Sequence, residues 1–215
     1  VFCVPAGTVL AILFRRVHDF VFVFLVFGTT QPHELFGLPT DINFLSQEWY
    51  RGSTRGIEVS YLDLLALVLL LSSVLVRYRE GRRIYWLPGL TPMLAFAGWG
   101  TLVTVAVADP KLFGLFELSK IFRGMLLFVA VGTYVRSPRE VRLFVWALIV
   151  NISYELSVCV VDRYVHGYHR ISGTLGHPNS LSMYSLQILP ICASVALGVD
   201  SPRWMRRGGM AGFLA

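Results

Sequence analysis

Apolar runs about as long as a bilayer is thick recur along the chain, and short clusters of arginine separate them. A helix that crosses the hydrocarbon core needs about 20 predominantly apolar residues. Only helices are expected, because lipid cannot satisfy the backbone polar groups of an open strand. We predict an all-α fold, a polytopic transmembrane helix bundle with about seven spans and the start of another. These lie near residues 1–14, 17–30, 59–76, 86–108, 118–135, 142–161, 181–199 and from 209.

The first two runs are short, and either form two half-spans or belong to one long helix interrupted at Arg15 and Arg16. Strand-like alternation of polar and apolar residues is not apparent. The chain starts and ends inside apolar stretches, so we expect residues 1–215 to be a single integral membrane domain, truncated at both ends.

The charge content supports a membrane protein. Only 15% of the 215 residues are charged and 55% are hydrophobic, whereas soluble domains carry about 25% charged residues. The net charge of +6 comes from basic residues dispersed between apolar runs. This is the pattern of membrane-flanking anchors, which argues against nucleic-acid binding.

The distribution of arginine predicts the orientation. Positive residues stay on the cytoplasmic side during insertion. Four connections hold twelve of the nineteen Lys and Arg residues: Arg15 and Arg16; Arg77, Arg79, Arg82 and Arg83; Arg136, Arg139 and Arg142; Arg203, Arg206 and Arg207. We place these four in the cytoplasm and loops 31–58, 109–117 and 162–180 outside. Trp49 and Tyr50, beside Arg51, then form either an interfacial anchor or a substrate contact.

Ionisable residues also occur within the predicted spans, where they are costly and usually face a cavity or a partner. Glu117, Lys120 and Arg123 share a helix face. Glu155 lies in the next span, at a similar predicted depth to Arg123. We predict that Arg123 and Glu155 form a structural ion pair. In the alternative, Lys120 and Arg123 line an outward cavity that binds phosphate.

The outer loop 162–180 concentrates polar chemistry. Arg170 precedes a Ser-Gly-Thr turn and a helix start that Asn or Ser could cap. A guanidinium beside a helix N-terminus can bind a diphosphate, although a capped helix with a solvated arginine is the simpler reading. His166, His169 and His177 are candidates for a catalytic base. Their spacing is not a recognised zinc pattern.

Several segments resemble the O-antigen ligase and polysaccharide polymerase superfamily. The segment Arg170-Ile-Ser-Gly-Thr-Leu-Gly-His-Pro-Asn179 is similar to its Arg-x-x-Gly-Thr-Phe-x-x-Pro-Asn pattern, with Leu175 in place of the commoner Phe. Further similarity lies in Glu117-Leu-Ser-Lys-Ile-Phe-Arg123, Ser137-Pro-Arg-Glu-Val141 and Glu48-Trp-Tyr-Arg-Gly-Ser-Thr-Arg-Gly56, the last typical of proteins encoded near exopolysaccharide gene clusters.

The resemblance implies a C-type glycosyltransferase architecture in the bacterial inner membrane, active at the periplasmic face without a metal or other cofactor. Such enzymes transfer glycan from an undecaprenyl-diphosphate carrier to the lipid A core or to a growing polysaccharide. Arg170, and less directly Arg123, match arginines that bind the diphosphate. The base of the ligases lies on a large loop that we expect beyond residue 215, so this chain alone is expected to be inactive. The alternative function is a multi-pass transporter or flippase for a lipid-linked or anionic solute.

Overall fold

A computed structural model describes residues 3–30, 34–35, 38–39, 41–44, 56–81, 83, 85–175, 177–198 and 202–214. These residues are mostly helical. The helices are α1 (Cys3–Leu13), α2 (Arg15–Gly28), α3 (Tyr61–Arg79), α4 (Leu90–Ala106), α5 (Lys111–Tyr134), α6 (Pro138–Tyr164), α7 (Pro178–Leu197) and α8 (Arg203–Leu214), with a 3₁₀ turn at Gly173–Leu175. The strands are β1 (Glu34–Leu35), β2 (Leu38–Pro39), β3 (Asp41–Phe44) and β4 (Ile57–Ser60).

Each predicted apolar segment contains a helix among the described residues, but the number of spans is smaller than predicted. Three of the described helices, α3, α6 and α7, are long and apolar enough to cross a membrane. The helices α1 and α4 are apolar but shorter, at 11 and 17 residues. The 24-residue α5 is a continuous helix, but the ionisable residues Glu117, Lys120 and Arg123 interrupt its apolar sequence. The protein is therefore a helical membrane protein, and the prediction of seven spans is corrected to three candidates.

A small sheet corrects the purely α-helical expectation. Strands β3 and β4 pair antiparallel, with Asp41 opposite Ser60 and Phe44 opposite Ile57. The signal was present in Ile57-Glu-Val-Ser60, where apolar and polar residues alternate over one short strand. Trp49, Tyr50 and Arg51 lie outside the described residues.

The chain divides into two compact units. The first comprises Val1–Phe22 and Leu38–Arg136. Its α3 packs against α1 and α5, and α4 packs against α5. Phe22, Leu69 and Phe116 are fully buried in it. The Tyr134 ring stacks on Phe22 with centroids 4.3 Å apart, and its hydroxyl donates to Asp19 Oδ1 at 2.5 Å.

The second unit comprises Val23–Gly37 and Ser137–Ala215. In it α6 contacts α7 and α8, and α7 packs against α8. Helix α6 begins where its sequence specifies a capping box: Ser137 N–H donates to Glu140 Oε2 at 2.9 Å, and Glu140 N–H donates to Ser137 Oγ at 3.3 Å. These bonds satisfy two N–H groups that a helix start would otherwise leave without partners. Pro138 fits the first helical position because it has no N–H to satisfy.

Candidate functional site

The Ser-Gly-Thr turn, residues 172–174, is hydrogen-bonded to a buried carboxyl group of α6. Glu155 is only 1% exposed. The Thr174 N–H donates to Glu155 Oε2 at 3.1 Å, and the Thr174 hydroxyl contacts both Glu155 Oε1 and the Thr30 carbonyl oxygen. A hydroxyl has one hydrogen, so Thr174 can donate to only one of these two oxygens at a time. The backbone bond holds the turn to α6 in either case.

Glycine is favoured at position 173 for two independent reasons. Its φ is +56°, in the left-handed region that side chains disfavour. A Cβ there would also lie 2.6 Å from Glu155 Oε2. The backbone at Gly173 therefore packs directly against the carboxyl group, which fixes the position of the turn.

A buried asparagine connects three segments beneath the turn. Asn151 is 0% exposed. Its Nδ2 donates to the Val26 carbonyl at 3.2 Å and contacts the Tyr184 hydroxyl at 2.7 Å, while its Oδ1 accepts from the Thr30 hydroxyl at 2.7 Å. We call Thr30, Asn151, Glu155, Thr174 and Tyr184 the Glu155 network.

Thr30 and Tyr184 were not predicted from the sequence. The available signal was the pair Asn151 and Glu155, two polar residues four positions apart on one face of an apolar helix. That pair predicts polar partners, but the partners come from distant parts of the chain, which spacing along α6 cannot identify.

Arg170 lies in the exposed part of the same loop. Its side chain is exposed and makes no hydrogen bond or ion pair with any residue that the structure describes. The loop ends at the N-terminus of α7, where His177 rather than Asn or Ser is the capping residue: its Nδ1 accepts from Asn179 N–H at 3.2 Å. An uncompensated guanidinium near a helix N-terminus creates a positive potential that can attract an anion.

The three loop histidines differ in how their ring nitrogens are used. His177 Nδ1 accepts from Asn179, and His169 Nδ1 accepts from Arg163 Nη1 at 3.4 Å. In the neutral ring the proton then lies on Nε2, so the one lone pair of each ring already accepts a hydrogen bond. His166 is different: its Nδ1 lies 3.2 Å from Asp162 Oδ1, and the aspartate can only accept. The His166 Nε2 lone pair has no hydrogen-bond donor among the described residues, and the ring is about half exposed.

Arg123 and Glu155 have different partners from those predicted. Arg123 Nε donates to Asp63 Oδ1 at 3.0 Å, Nη1 to Glu58 Oε2 at 3.4 Å and Nη2 to Ser60 Oγ at 2.9 Å. We call these four residues the Arg123 cluster. Glu155 instead accepts from Thr174, as described above. The Arg123–Glu155 ion pair stays a prediction. The partners that the structure describes for Arg123 come from β4 and the first turn of α3, and depth along a helix does not reveal them.

The Arg123 cluster does not favour an anionic ligand. Two carboxylates face one guanidinium, so the local formal charge is negative. Asp63 is also occupied at its other oxygen, Oδ2, which accepts from Ser60 N–H at 2.7 Å. Nearby on α5, Lys120 pairs with Glu117 at 3.8 Å. Of the three predicted phosphate-binding residues, Arg170 is the one whose charge is not offset by a carboxylate among the described residues.

Within the described ranges, no group of three or more His, Cys, Asp or Glu residues could hold a metal ion. Searches against protein-family models, curated proteins and solved structures gave no match to this chain. The resemblance to the O-antigen ligase superfamily therefore stays a prediction that depends on the motifs themselves.

Proposed function

We propose that this protein is a membrane glycosyltransferase that transfers or polymerises glycan from an undecaprenyl-diphosphate carrier at the periplasmic face. The observation that carries the proposal is the state of Arg170: an exposed guanidinium, unpaired with any residue that the structure describes, in a loop that the Glu155 network holds to α6. The donor binds this loop by its diphosphate, and the acceptor is a sugar hydroxyl of the lipid A core or of a growing polysaccharide.

The chemistry requires a cation beside the leaving group. When the glycosidic bond to the carrier breaks, negative charge develops on the diphosphate leaving group. A guanidinium that contacts the diphosphate stabilises that charge, and removing one such group typically slows a reaction about 10²–10³-fold. Arg170 is the residue suited to this role, and no metal or other cofactor enters the proposed step.

His166 is the loop histidine suited to act as the base. The acceptor hydroxyl must lose a proton as it attacks, and a histidine with a free nitrogen can take it. His166 Nδ1 lies 3.2 Å from Asp162 Oδ1 and donates its proton to it. This bond fixes the tautomer that leaves the lone pair on Nε2.

The length of α6 supports opposite sides of the membrane for the arginines at its start and for the histidine-bearing loop after its end. Its 27 residues span about 40 Å, enough to cross a bilayer completely. Arg136, Arg139 and Arg142 lie at its start, and the histidine-bearing loop follows its end. If the arginines are cytoplasmic by the positive-inside rule, the loop faces the periplasm, where a carrier-linked glycan is presented for transfer.

Genetic complementation tests the proposal. The gene that encodes the chain is deleted, and surface polysaccharide and carrier-linked glycan are measured. We expect long-chain polysaccharide to disappear and carrier-linked glycan to accumulate on the periplasmic leaflet. Restoring the gene with Arg170→Ala should reduce transfer at least 100-fold. Arg170→Lys should recover part of it, because lysine keeps the charge but loses the planar fork.

Matched variants make the test specific. Lys111→Ala removes one positive charge from another exposed, unpaired position and should leave transfer unchanged. His166→Ala should slow transfer without changing retention of the carrier-linked donor, whereas His169→Ala should have little effect. Normal polysaccharide in Arg170→Ala, at normal protein level, would refute the proposal. Carrier-linked glycan trapped on the cytoplasmic leaflet would instead identify the alternative, a flippase.

A further inference from the structure

A pair of tryptophans lies on the surface of the second unit, away from the histidine-bearing loop. Trp146 of α6 and Trp204 of α8 meet edge to face, with ring centroids 5.4 Å apart and an interplanar angle of 89°. Their side chains remain 41% and 53% exposed. Trp146 precedes the end of α6 by eighteen residues, a distance of about 27 Å. Glu155, where the Ser-Gly-Thr turn contacts α6, lies nine residues or about 14 Å beyond Trp146. Nothing in the proposed transfer reaction uses these rings.

Two glycines let α8 approach its neighbours closely. A Cβ on Gly209 would lie 2.8 Å from the Cys192 carbonyl oxygen and 3.0 Å from the Ala196 nitrogen, both backbone atoms of α7. Gly208 faces Trp146 and Ile149 of α6. This close packing fixes which face of α8 is covered, and Met205 is buried on that face at 4% exposure.

Three arginines flank the indole pair on the uncovered side. Arg203 directly precedes Trp204, Arg207 follows one turn later, and Arg142 lies one turn before Trp146 on the same face of α6. All three are exposed and make no hydrogen bond or ion pair with the described residues. The sequence of α8 contains no acidic residue. We call Arg142, Trp146, Arg203, Trp204 and Arg207 the Trp–Arg surface.

We infer that the Trp–Arg surface binds the phosphate headgroup of an anionic phospholipid. The guanidiniums supply charge-assisted hydrogen bonds to the phosphate. The indoles lie at the level of the glycerol backbone, where tryptophan is enriched in membrane proteins. A lipid fits better than a free anion, because a free anion would leave the two exposed rings without a contact. Basic groups between helices at the membrane surface are suited to this recognition.

The affinity of the surface for lipid can be measured directly. The full chain is purified in detergent and titrated with phosphatidylglycerol or, separately, phosphatidylcholine, with bound lipid counted by native mass spectrometry. Each arginine near an anionic surface contributes about 1 kcal/mol, or about fivefold in affinity. We therefore expect Arg203→Gln/Arg207→Gln to weaken phosphatidylglycerol binding about 25-fold. Phosphatidylcholine binding should change little.

Three further variants test where the lipid binds and whether the ligand is a lipid or free phosphate. The double variant Arg83→Gln/Lys111→Gln removes two exposed charges elsewhere and should change phosphatidylglycerol binding less than twofold. Arg142→Gln tests the same surface from another helix and should weaken binding about fivefold. Trp204→Leu keeps all charges and should weaken lipid binding severalfold while leaving inorganic phosphate binding unchanged.

Two results would overturn the inference. One is equal loss of phosphatidylglycerol binding in the Arg203/Arg207 variant and in the Arg83/Lys111 control, which would make the attraction a general charge effect. The other is full competition by millimolar inorganic phosphate, which would identify a free-anion site. Thermal unfolding of each variant in phosphatidylcholine alone confirms that the fold is retained.

Discussion

Arg123 and Arg170 are the same kind of group in two contrasting settings. Arg123 lies among Glu58, Ser60 and Asp63, and three of its nitrogens donate to them. Arg170 lies in an exposed loop and has no partner among the described residues. One guanidinium holds a strand and two helices together, and the other is available to a ligand. A guanidinium can therefore bind a phosphate only where nearby carboxylates do not already offset its charge.

The same contrast holds for the carboxyl groups. In the Arg123 cluster, Asp63 and Glu58 face a positive charge and are partly accessible, at 12% and 25% of their side-chain areas. Glu155 is almost wholly buried and faces a backbone N–H and a hydroxyl. The first group is an ion-pair cluster and the second is a hydrogen-bond network. Substitutions should therefore affect them differently.

The largest effect on stability is expected at Arg123. Arg123→Ala leaves two carboxylates facing each other without a cation. Removing one partner of a fully buried pair costs about 3–5 kcal/mol. Because 27% of the Arg123 side chain is exposed, we expect the free energy of unfolding to fall by about 2 kcal/mol. Arg170→Ala should change it by less than about 0.5 kcal/mol. Unfolding in detergent measures both.

The double variant Asp63→Asn/Arg123→Ala sharpens this comparison. Removing the negative charge of Asp63 together with Arg123 relieves part of the repulsion, so the double variant should be less unstable than the sum of the single variants. Equal stability of Arg123→Ala and Arg170→Ala would break the distinction between a structural and an available arginine.

A smaller effect is expected at Glu155. Glu155→Ala leaves the Thr174 N–H without its acceptor in a part-buried site, which costs about 1.5 kcal/mol, in the lower half of the range for one unsatisfied buried group. Glu155→Gln should cost clearly less, because the amide oxygen can accept from the Thr174 N–H and the amide NH₂ can donate to the Thr174 hydroxyl. Thermal unfolding in detergent compares the two variants. Equal destabilisation would show that the network needs a negative charge rather than a matched set of hydrogen bonds.

The smallest effect is expected to be the difference in stability between Gly173→Ala and Gly167→Ala. This difference separates crowding by a side chain from backbone strain. Gly167 and Gly173 both have positive φ, at +72° and +56°. A Cβ on Gly167 would meet nothing within 4 Å, whereas one on Gly173 would lie 2.6 Å from Glu155 Oε2. Alanine at either position carries about 1 kcal/mol of left-handed strain, so Gly173→Ala should be the more destabilising.

The Gly173→Ala/Glu155→Ala double variant is the control for crowding. With the carboxyl group removed, alanine at position 173 should add only the cost that it has at position 167. If the additional cost of Gly173→Ala persists without Glu155, then the contact between the turn and α6 is not its cause.

Hydropathy located the helices because apolar runs of helical length need little tertiary information. Every predicted segment contains a helix among the described residues, although α6 begins at Pro138, four residues before the predicted span. The count of spans was overestimated because apolar content alone does not give length: α1 and α4 are too short, and α5 carries charges in its middle. The β3–β4 pair was missed because a four-residue strand leaves only a brief alternation in the sequence.

A helical membrane protein, the positions of its helices and the loop that carries the polar chemistry can all be read from the sequence. Those properties follow from local composition and periodicity. The folded chain is needed to show that Arg123 pairs with Asp63 and Glu58, that Glu155 accepts from Thr174, and that Arg170 has no partner among the described residues. The reason is physical: a charge selects partners by distance in space, and these partners come from segments up to 65 residues away.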